Sequence, residues 1–562
     1  MLFMVVPGVA LMKKTTSTYQ KLCSDFKWDV PQFYNMGYDT SERWARKSPN
    51  NIAMIEVFPD GELKTTSYSQ LDSLVNKGAN YLVKMGLRRG DRIGILLPQS
   101  LECAISHIMA FKLGAISVPL FLLFGPDALS YRILNAGIEF LITDNAGAKK
   151  LRDMPRAAQK KLHIYTVDGE DPKLKTSGLC FSELNESQSF KYTETNSDDP
   201  ATITYTSGTT GSPKGALHAH RILLGHLPGF EMFLNLFSRY KNETSNLLWT
   251  PADWAWMGGL YNILLPGLYH GLPILAHRFE KFSAEKAFQL MSDYKVTGAF
   301  LPPTALKLLR SYASDRSPNK LYLKSVGSGG EPLGSELVEW GRRVLGITIN
   351  EFYGQTECNL VLSSCEAIME PRPGIAGPPV PGHLVRVIAP TGEECALGEE
   401  GLIAIKKGPP QMFLRYWKNA EATKEKFIGD WMLTGDRGVM ETDSWIRFIA
   451  RDDDVITSSG YRIGPVPIED CLMSHPSVTM AAVVGKPDKV RTEIIKAFIV
   501  LKPGWTENSE LMRELQNHVK MRLSAHEYPR EIEIVKHLPV TNTGKILRRK
   551  LRDMDSIRLD KK

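Results

Sequence analysis

The sequence predicts a two-domain α/β protein. A large N-terminal domain, residues 1–452, should hold parallel-rich sheets covered by helices plus a small antiparallel subdomain, and a small α+β C-terminal domain should fill residues 453–562. Three observations predict this. A chain of 562 residues exceeds what one hydrophobic core organises. Helix-like and strand-like apolar patterns alternate through the first part of the chain. The texture then changes twice, first to short turn-rich strands and then to a compact mixture of strands and helix.

Taken in order, SYSQLDSLVNKGANYLVKMG, beginning at Ser67, places apolar residues at helical spacing, and DRIGILLP follows as a buried strand. ECAISHIMAFKLGA returns to helix and EFLITD to strand, the rhythm of parallel strands crossed by helices. Apolar runs after turn signals, at ATITYTS, GLPILA, TGAFLPP and LKSVGSGGEPL, carry the pattern onward. From Gly374 to about Trp445, strands such as HLVRVIA and GLIAIKK are separated by Gly and Pro turns, as in a small antiparallel sheet. After Asp452-Asp453-Asp454 come strands at MAAVVGKP and IKAFIVLK, a helix at SELMRELQNHVKMRL and a basic tail. The domain boundary is expected at Asp453.

Composition narrows the function. The net charge of +7, from 69 basic and 62 acidic residues, is too small to argue for nucleic acid and suits anionic substrates. The seven cysteines are scattered, odd in number and never spaced C-x-x-C, so reduced thiols in a cytoplasm are expected. The opening MLFMVVPGVALM is apolar, but Lys13 and Lys14 follow it where a signal peptide carries its charge first. The run is too short to span a bilayer, so no stable membrane insertion is expected, and Met12 is read as the true start.

The strongest local feature is Thr204-Tyr205-Thr206-Ser207-Gly208-Thr209-Thr210-Gly211-Ser212-Pro213-Lys214-Gly215, directly after an apolar strand. Small residues let backbone N–H groups approach phosphate oxygens, the hydroxyls of Thr206, Ser207, Thr209 and Thr210 add donors, Gly208 keeps the loop tight, and Lys214 adds charge. An isolated Gly-rich string is more often a surface turn; the hydroxyl density and the lysine argue for polyphosphate. It is not a Walker A loop, because Gly208 and Gly211 are too close and Gly215 follows the lysine where Ser or Thr would hold magnesium.

This string resembles the signature loop of the adenylate-forming superfamily, and the chain resembles its AMP-forming acyl-CoA synthetases, nearest to those acting on acetate and medium-chain acids. Further motifs follow in family order. Gly329-Gly330-Glu331-Pro332 resembles the segment that packs on adenine. Glu351 precedes Tyr353-Gly354-Gln355-Thr356-Glu357, which resembles the motif whose aromatic ring stacks on adenine, whose threonine holds the α-phosphate and whose glutamate helps bind Mg2+. Thr434-Gly435-Asp436 resembles the turn whose carboxylate accepts from both ribose hydroxyls, with Arg451 assisting; Ala450 stands where the family usually has glycine. Asp453 falls at the family hinge, and Gly460-Tyr461-Arg462 at the loop that lines the coenzyme A tunnel after the hinge turns. Pro539-Val540-Thr541-Asn542-Thr543-Gly544-Lys545 resembles the loop carrying the catalytic lysine.

The resemblance implies a reaction in two halves at one site. ATP and an acid first give an acyl-adenylate and pyrophosphate with Lys545 in place; the small domain then turns, and the thiol of coenzyme A takes the acyl group beside Gly460 and Arg462. Acetate-specific members carry tryptophan at the position of Gly354, so a longer acid is expected here, short to medium in chain with branched or aromatic acids included, its pocket bounded by Gly354, Trp254 and Trp256. Rival readings are an adenylation enzyme loading a carrier protein in trans, a luciferase-like oxidising adenylase, and a non-catalytic binder, the last opposed by Lys545, Glu357 and Asp436 together. A monomer or homodimer is expected. The spacing Pro539-x-x-x-x-Gly544-Lys545 also resembles the recognition pattern of bacterial lysine acetyltransferases.

Overall fold

Short apolar runs bounded by turns become strands buried on both faces: every residue of Ile116–Pro119 and of Phe140–Thr143 is buried. The computed structural model describes residues 16–172, 176–206, 213–237, 246–452, 454–458, 461–488, 491–523, 527–541 and 545–559. Helix Tyr68–Lys84 begins where the sequence places it. Ser67 accepts from the Gln70 N–H through its side chain while its own N–H donates to the Gln70 side chain, which satisfies two of the helix's otherwise unpaired donors. Strand Ile116–Pro119 and helix Pro126–Ala136 have no counterpart in the sequence reading.

Among the described residues two eight-stranded sheets form the large layers. The first runs Asn359–Ser363, Ile349–Gln355, Ser325–Gly329, Gly298–Phe300, Leu248–Trp249, Ile274–His277, Ile52–Val57 and Leu63–Ser67, with parallel pairs inside and antiparallel pairs at both edges. The second is centred on Ile116–Pro119 and Arg92–Leu96 and carries Pro200–Thr206 and Lys214–Ala219 toward one edge. An antiparallel sheet built on Val385–Ile388, Glu400–Lys406, Trp431–Met440 and Ile446–Arg451 ends at Arg451. A fourth sheet starts at Ile456–Ser458, is dominated by the Val478–Asp488 and Thr492–Leu501 pair, and packs on helices Pro465–Met473 and Ser509–Arg522. This is the mixed α/β architecture expected. Among the described residues no helix is long and apolar enough to cross a membrane.

The largest core holds one buried ionic cluster. Lys112, with no exposed surface, lies 3.0 Å from Glu42 and 2.8 Å from Asp72 and donates to Asn76, while Ser41 donates to the same Asp72. Asp72 is thus paired with this ammonium, and Glu42 shares it with Arg46. We expect Lys112→Met to cost about 3–5 kcal/mol, the penalty for stranding buried charge. A urea midpoint equal to that of the parent protein would show that the cluster is not stabilised in this way.

Candidate active site

The site forms where the first parallel sheet meets the antiparallel one. Strand Ile349–Gln355 pairs in parallel with Ser325–Gly329, with Phe352 opposite Gly329, and its end projects Tyr353 and Gln355 toward strand Trp431–Met440. The Tyr353 hydroxyl donates to Asp436 Oδ2, Gln355 Nε2 donates to the Thr434 carbonyl at 3.0 Å, and the Asp436 N–H donates to Thr434 Oγ1 at 3.1 Å. Arg451 is the register partner of Asp436 and brings Nη1 to 3.3 Å from Oδ1. Burial pushes the Asp436 carboxyl up, against the pull of Arg451, Tyr353, Lys426 and Lys545. An aromatic ring, two acceptor oxygens and a guanidinium thus converge at one point.

The loop after Ser325–Gly329 passes beside them. Gly330 has φ +95°, a left-handed conformation that glycine adopts without strain. Glu331 and Pro332 are half-buried there, and the Leu333 N–H donates to Glu351 Oε1 at 3.0 Å. Glu351 is buried against this loop, and burial raises its carboxyl to about 8. Its Oε2 has no hydrogen-bond partner among the described residues. It braces the Gly330 loop from behind.

Thr206 ends strand Pro200–Thr206 and donates to the Lys214 carbonyl at 3.3 Å across the loop. Ser207, Gly208, Thr209 and Thr210 lie outside the described residues. The Lys214 ammonium sits 5.4 Å from the Tyr416 ring centroid, and the Tyr416 hydroxyl donates to Glu357, a buried carboxylate one residue after half-buried Thr356. Tyr416, absent from the sequence reading, reaches the site because its strand pairs with Lys214–Ala219 across about two hundred residues of chain. No group of three or more metal-ligating side chains occurs among the described residues. One carboxylate beside a phosphate loop fits Mg2+, which takes few protein ligands and completes its shell with phosphate oxygens and water.

The C-terminal part supplies the last group. A Cβ built on Gly330 lies 3.9 Å from Lys545 Cε, and burial raises the carboxyls of both Asp436 and Glu331 with the Lys545 ammonium among the charges that oppose the rise. A tight turn holds it: the Thr541 N–H donates to the Lys545 carbonyl at 2.7 Å, and the Lys545 N–H donates to Thr541 Oγ1 at 3.0 Å. Helix Pro465–Met473 docks on the same face, its Asp470 carboxylate 3.0 Å from a Cβ built on Gly334. Asp453 and Gly460 lie outside the described residues, as does the Arg462 side chain, whose backbone pairs with Thr457.

Residues 41–417 match the model of the AMP-binding enzyme family, and residues 467–545 that of the AMP-binding enzyme C-terminal domain. The chain belongs to the AMP-binding enzyme family. It is similar to acyl-coenzyme A synthetase ACSM3, mitochondrial, of Mus musculus, with 32% identity over 95% of this chain and 93% of that one. Among solved structures, the anthranilate CoA ligase AuaEII in complex with anthranoyl-AMP superposes with a TM-score of 0.84 at 27% identity, covering 95% of this chain and 99% of that one. An ATP-bound RpMatB-BxBclM chimera superposes with a TM-score of 0.81 at 26% identity, over 92% and 98% of the two chains. The AMP-binding enzyme is an AMP-forming acid–CoA ligase that uses ATP.

The three acyl-pocket expectations meet different surroundings. A Cβ on Gly354 would stand 1.7 Å from the Asn359 carbonyl oxygen and 2.9 Å from Leu360 Cα, backbone of the strand it pairs with. A larger side chain at Gly354 therefore needs Asn359–Ser363 to shift away from this hairpin. Trp254 is a core residue, 1% exposed, whereas Trp256 is half-buried against Phe121 and Phe124, with ring centroids 5.3 and 6.1 Å away.

The docked Pro465–Met473 helix buries an ionisable group, Asp470, against Gly334. Burial raises the Asp470 carboxyl to about 7, Lys307 opposing the rise and Glu469 and Glu336 adding to it, and Asp470 in turn raises Glu351. A group whose pKa rises on docking takes up a proton. We therefore expect the docked population to fall as pH rises from about 4, the ordinary carboxylate range, to about 7, and to level off above it. Cross-linking yield between cysteines placed at Gly334 and on this helix would show the decline, and Asp470→Asn should flatten it. A yield independent of pH in the parent protein would refute the coupling.

Proposed function

We propose that this enzyme activates a short- to medium-chain carboxylic acid, branched and aromatic acids included, to an acyl-adenylate and then forms its coenzyme A thioester. The observation that carries this reading is the convergence of Lys545 with Gly330, Glu331 and Asp436, which brings a flexible ammonium from the C-terminal part to a site otherwise built by the N-terminal part. In the first half-reaction a carboxylate oxygen of the acid attacks the α-phosphorus of ATP and the bond to pyrophosphate breaks. Lys545 stabilises the negative charge that builds between carboxylate and phosphate. Tyr353 offers its ring to adenine beside Gly330, Glu331 and Pro332, and Asp436 with Arg451 faces the ribose diol. Gln355 fixes Thr434 and through it Asp436. Thr206, Ser207, Gly208, Thr209, Thr210, Lys214 and Thr356 hold the phosphates, and Glu357 holds Mg2+, which offsets phosphate charge when bound.

In the second half-reaction the sulfur of coenzyme A bonds to the adenylate carbonyl carbon and AMP leaves with the bonding pair. Gly460 and Arg462 serve this step after the chain turns at Asp453, where we place the domain boundary. The seven free cysteines suit a reducing compartment, and we assign the enzyme to the cytoplasm. An acetyl group on Lys545, supplied by a lysine acetyltransferase, would remove the charge the first step needs.

Lys545→Ala is expected to slow acid-dependent pyrophosphate release by about 100- to 1,000-fold, the usual loss for one charge-stabilising donor, while thioester formation from supplied acyl-adenylate persists. Both halves are read in one assay set, with and without coenzyme A. Equal loss of the two would remove Lys545 from this role, and pyrophosphate release without any thioester would point to a different acyl acceptor.

A further inference from the structure

Beneath the Tyr353 hairpin, apolar walls enclose polar groups that the protein does not pair. Helix Ile222–Phe233 packs on strand Asn359–Ser363 so closely that a Cβ on Gly229 would lie 2.6 Å from Leu360 Cδ2. Its neighbours include Phe300 and Phe352, and Gly258 brings the segment after Trp256 against Phe300, a Cβ there lying 2.9 Å from that ring. The same segment approaches the phosphate loop, since Thr204 donates to Met257 Sδ at 3.4 Å.

Within these walls His226 is 1% exposed and neither ring nitrogen has a hydrogen-bond partner among the described residues, although Asn262 lies beside it and favours the charged ring. Tyr261 has no exposed surface, stands edge to face with His226 at a centroid distance of 6.3 Å, and its hydroxyl is unpartnered. The Trp254 indole N–H, at the start of the same segment, is unpartnered as well. Buried polar atoms are almost always hydrogen-bonded, so the donors left open in this core suit a partner that arrives with a ligand.

Charge selects that partner. Burial lowers His226 to about 3 and pushes the Tyr261 phenol far up, so both are neutral donors at physiological pH. Among the described residues no carboxylate, ammonium or guanidinium acts on either of them, and the neighbouring His383 disfavours a charge on His226. A second carboxylate on the substrate would be buried without a countercharge, whereas a neutral oxygen would pair with the waiting N–H and O–H groups.

Resting on the acid–CoA ligase reading above, we propose that the acid this enzyme prefers carries a neutral hydrogen-bond acceptor, a hydroxyl, keto or ether oxygen, on its acyl part, bound by His226, Tyr261 and Trp254. These are specificity residues; the reacting carboxylate is handled by Lys545. A site built to bond such an oxygen discriminates against the analogue lacking it far more strongly than an apolar pocket discriminates by size.

The test uses the purified full-length enzyme and matched acids: hexanoate against its hydroxy, oxo and methoxy derivatives and against adipate, and benzoate against hydroxy- and methoxybenzoates. Pyrophosphate release and thioester mass are the readouts. At least one neutral oxygenated acid should exceed its plain parent by about 10-fold or more in kcat/KM. Tyr261→Phe, which removes a single oxygen, and His226→Leu should each collapse that ratio toward one by raising KM for the oxygenated acid. Plain acids used as well as every oxygenated partner, a preference for adipate, or a ratio unmoved in both variants would each overturn the proposal. If plain acids are good substrates the ligase reading stands and this inference alone falls; if no acid releases pyrophosphate, both fall.

Discussion

The site depends on one buried carboxylate. Asp436 is 4% exposed, and its carboxylate is held from opposite sides by Tyr353 of the parallel sheet and Arg451 of the antiparallel one. Burying a charge is tolerated only when it is paired and hydrogen-bonded, so the contact fixes the mutual position of two sheets that share no strand. Gln355 repeats the link one residue pair away, through the Thr434 carbonyl. The aromatic face, the acceptor oxygens and the guanidinium are consequently preorganised, and binding need not pay to assemble them.

The C-terminal part completes the site by contact rather than by continuity of the chain. Its docking face presents Lys545, Asp470 and the Arg548–Glu469 pair to a loop that Glu351 braces from behind. Several ionisable groups are buried together there, with Lys307, Arg548 and Lys545 all acting on Glu331. Such an interface is held in part by matched charges, which suits the domain turn proposed above.

Much was legible from local pattern. The helix from Tyr68 was legible because its apolar residues recur at helical spacing, and the structure adds the Ser67–Gln70 capping box at its start. The hydroxyl-rich loop could be singled out from its own chemistry, whereas Tyr353, Glu357 and Asp436 were singled out by the resemblance of their motifs to those of the family. Tyr416 was not legible: its bond to Glu357 depends on strand pairing across the chain. The close approach of Asn359 and Leu360 to Gly354 was not legible for a related reason, since the direction of a Cβ follows from the register of the two strands.

By itself the sequence determined the mixed α/β class, the order of its sheets along the chain and the chemical types at the nucleotide site, because those follow from periodicity, turn chemistry and side-chain functional groups. Only the tertiary structure decided that Glu351 props a loop, that Trp254 is buried while Trp256 joins an aromatic cluster, and that His226 and Tyr261 meet edge to face in the core. Burial and pairing are properties of neighbours brought together by folding, and the spacing of residues along a chain does not contain them.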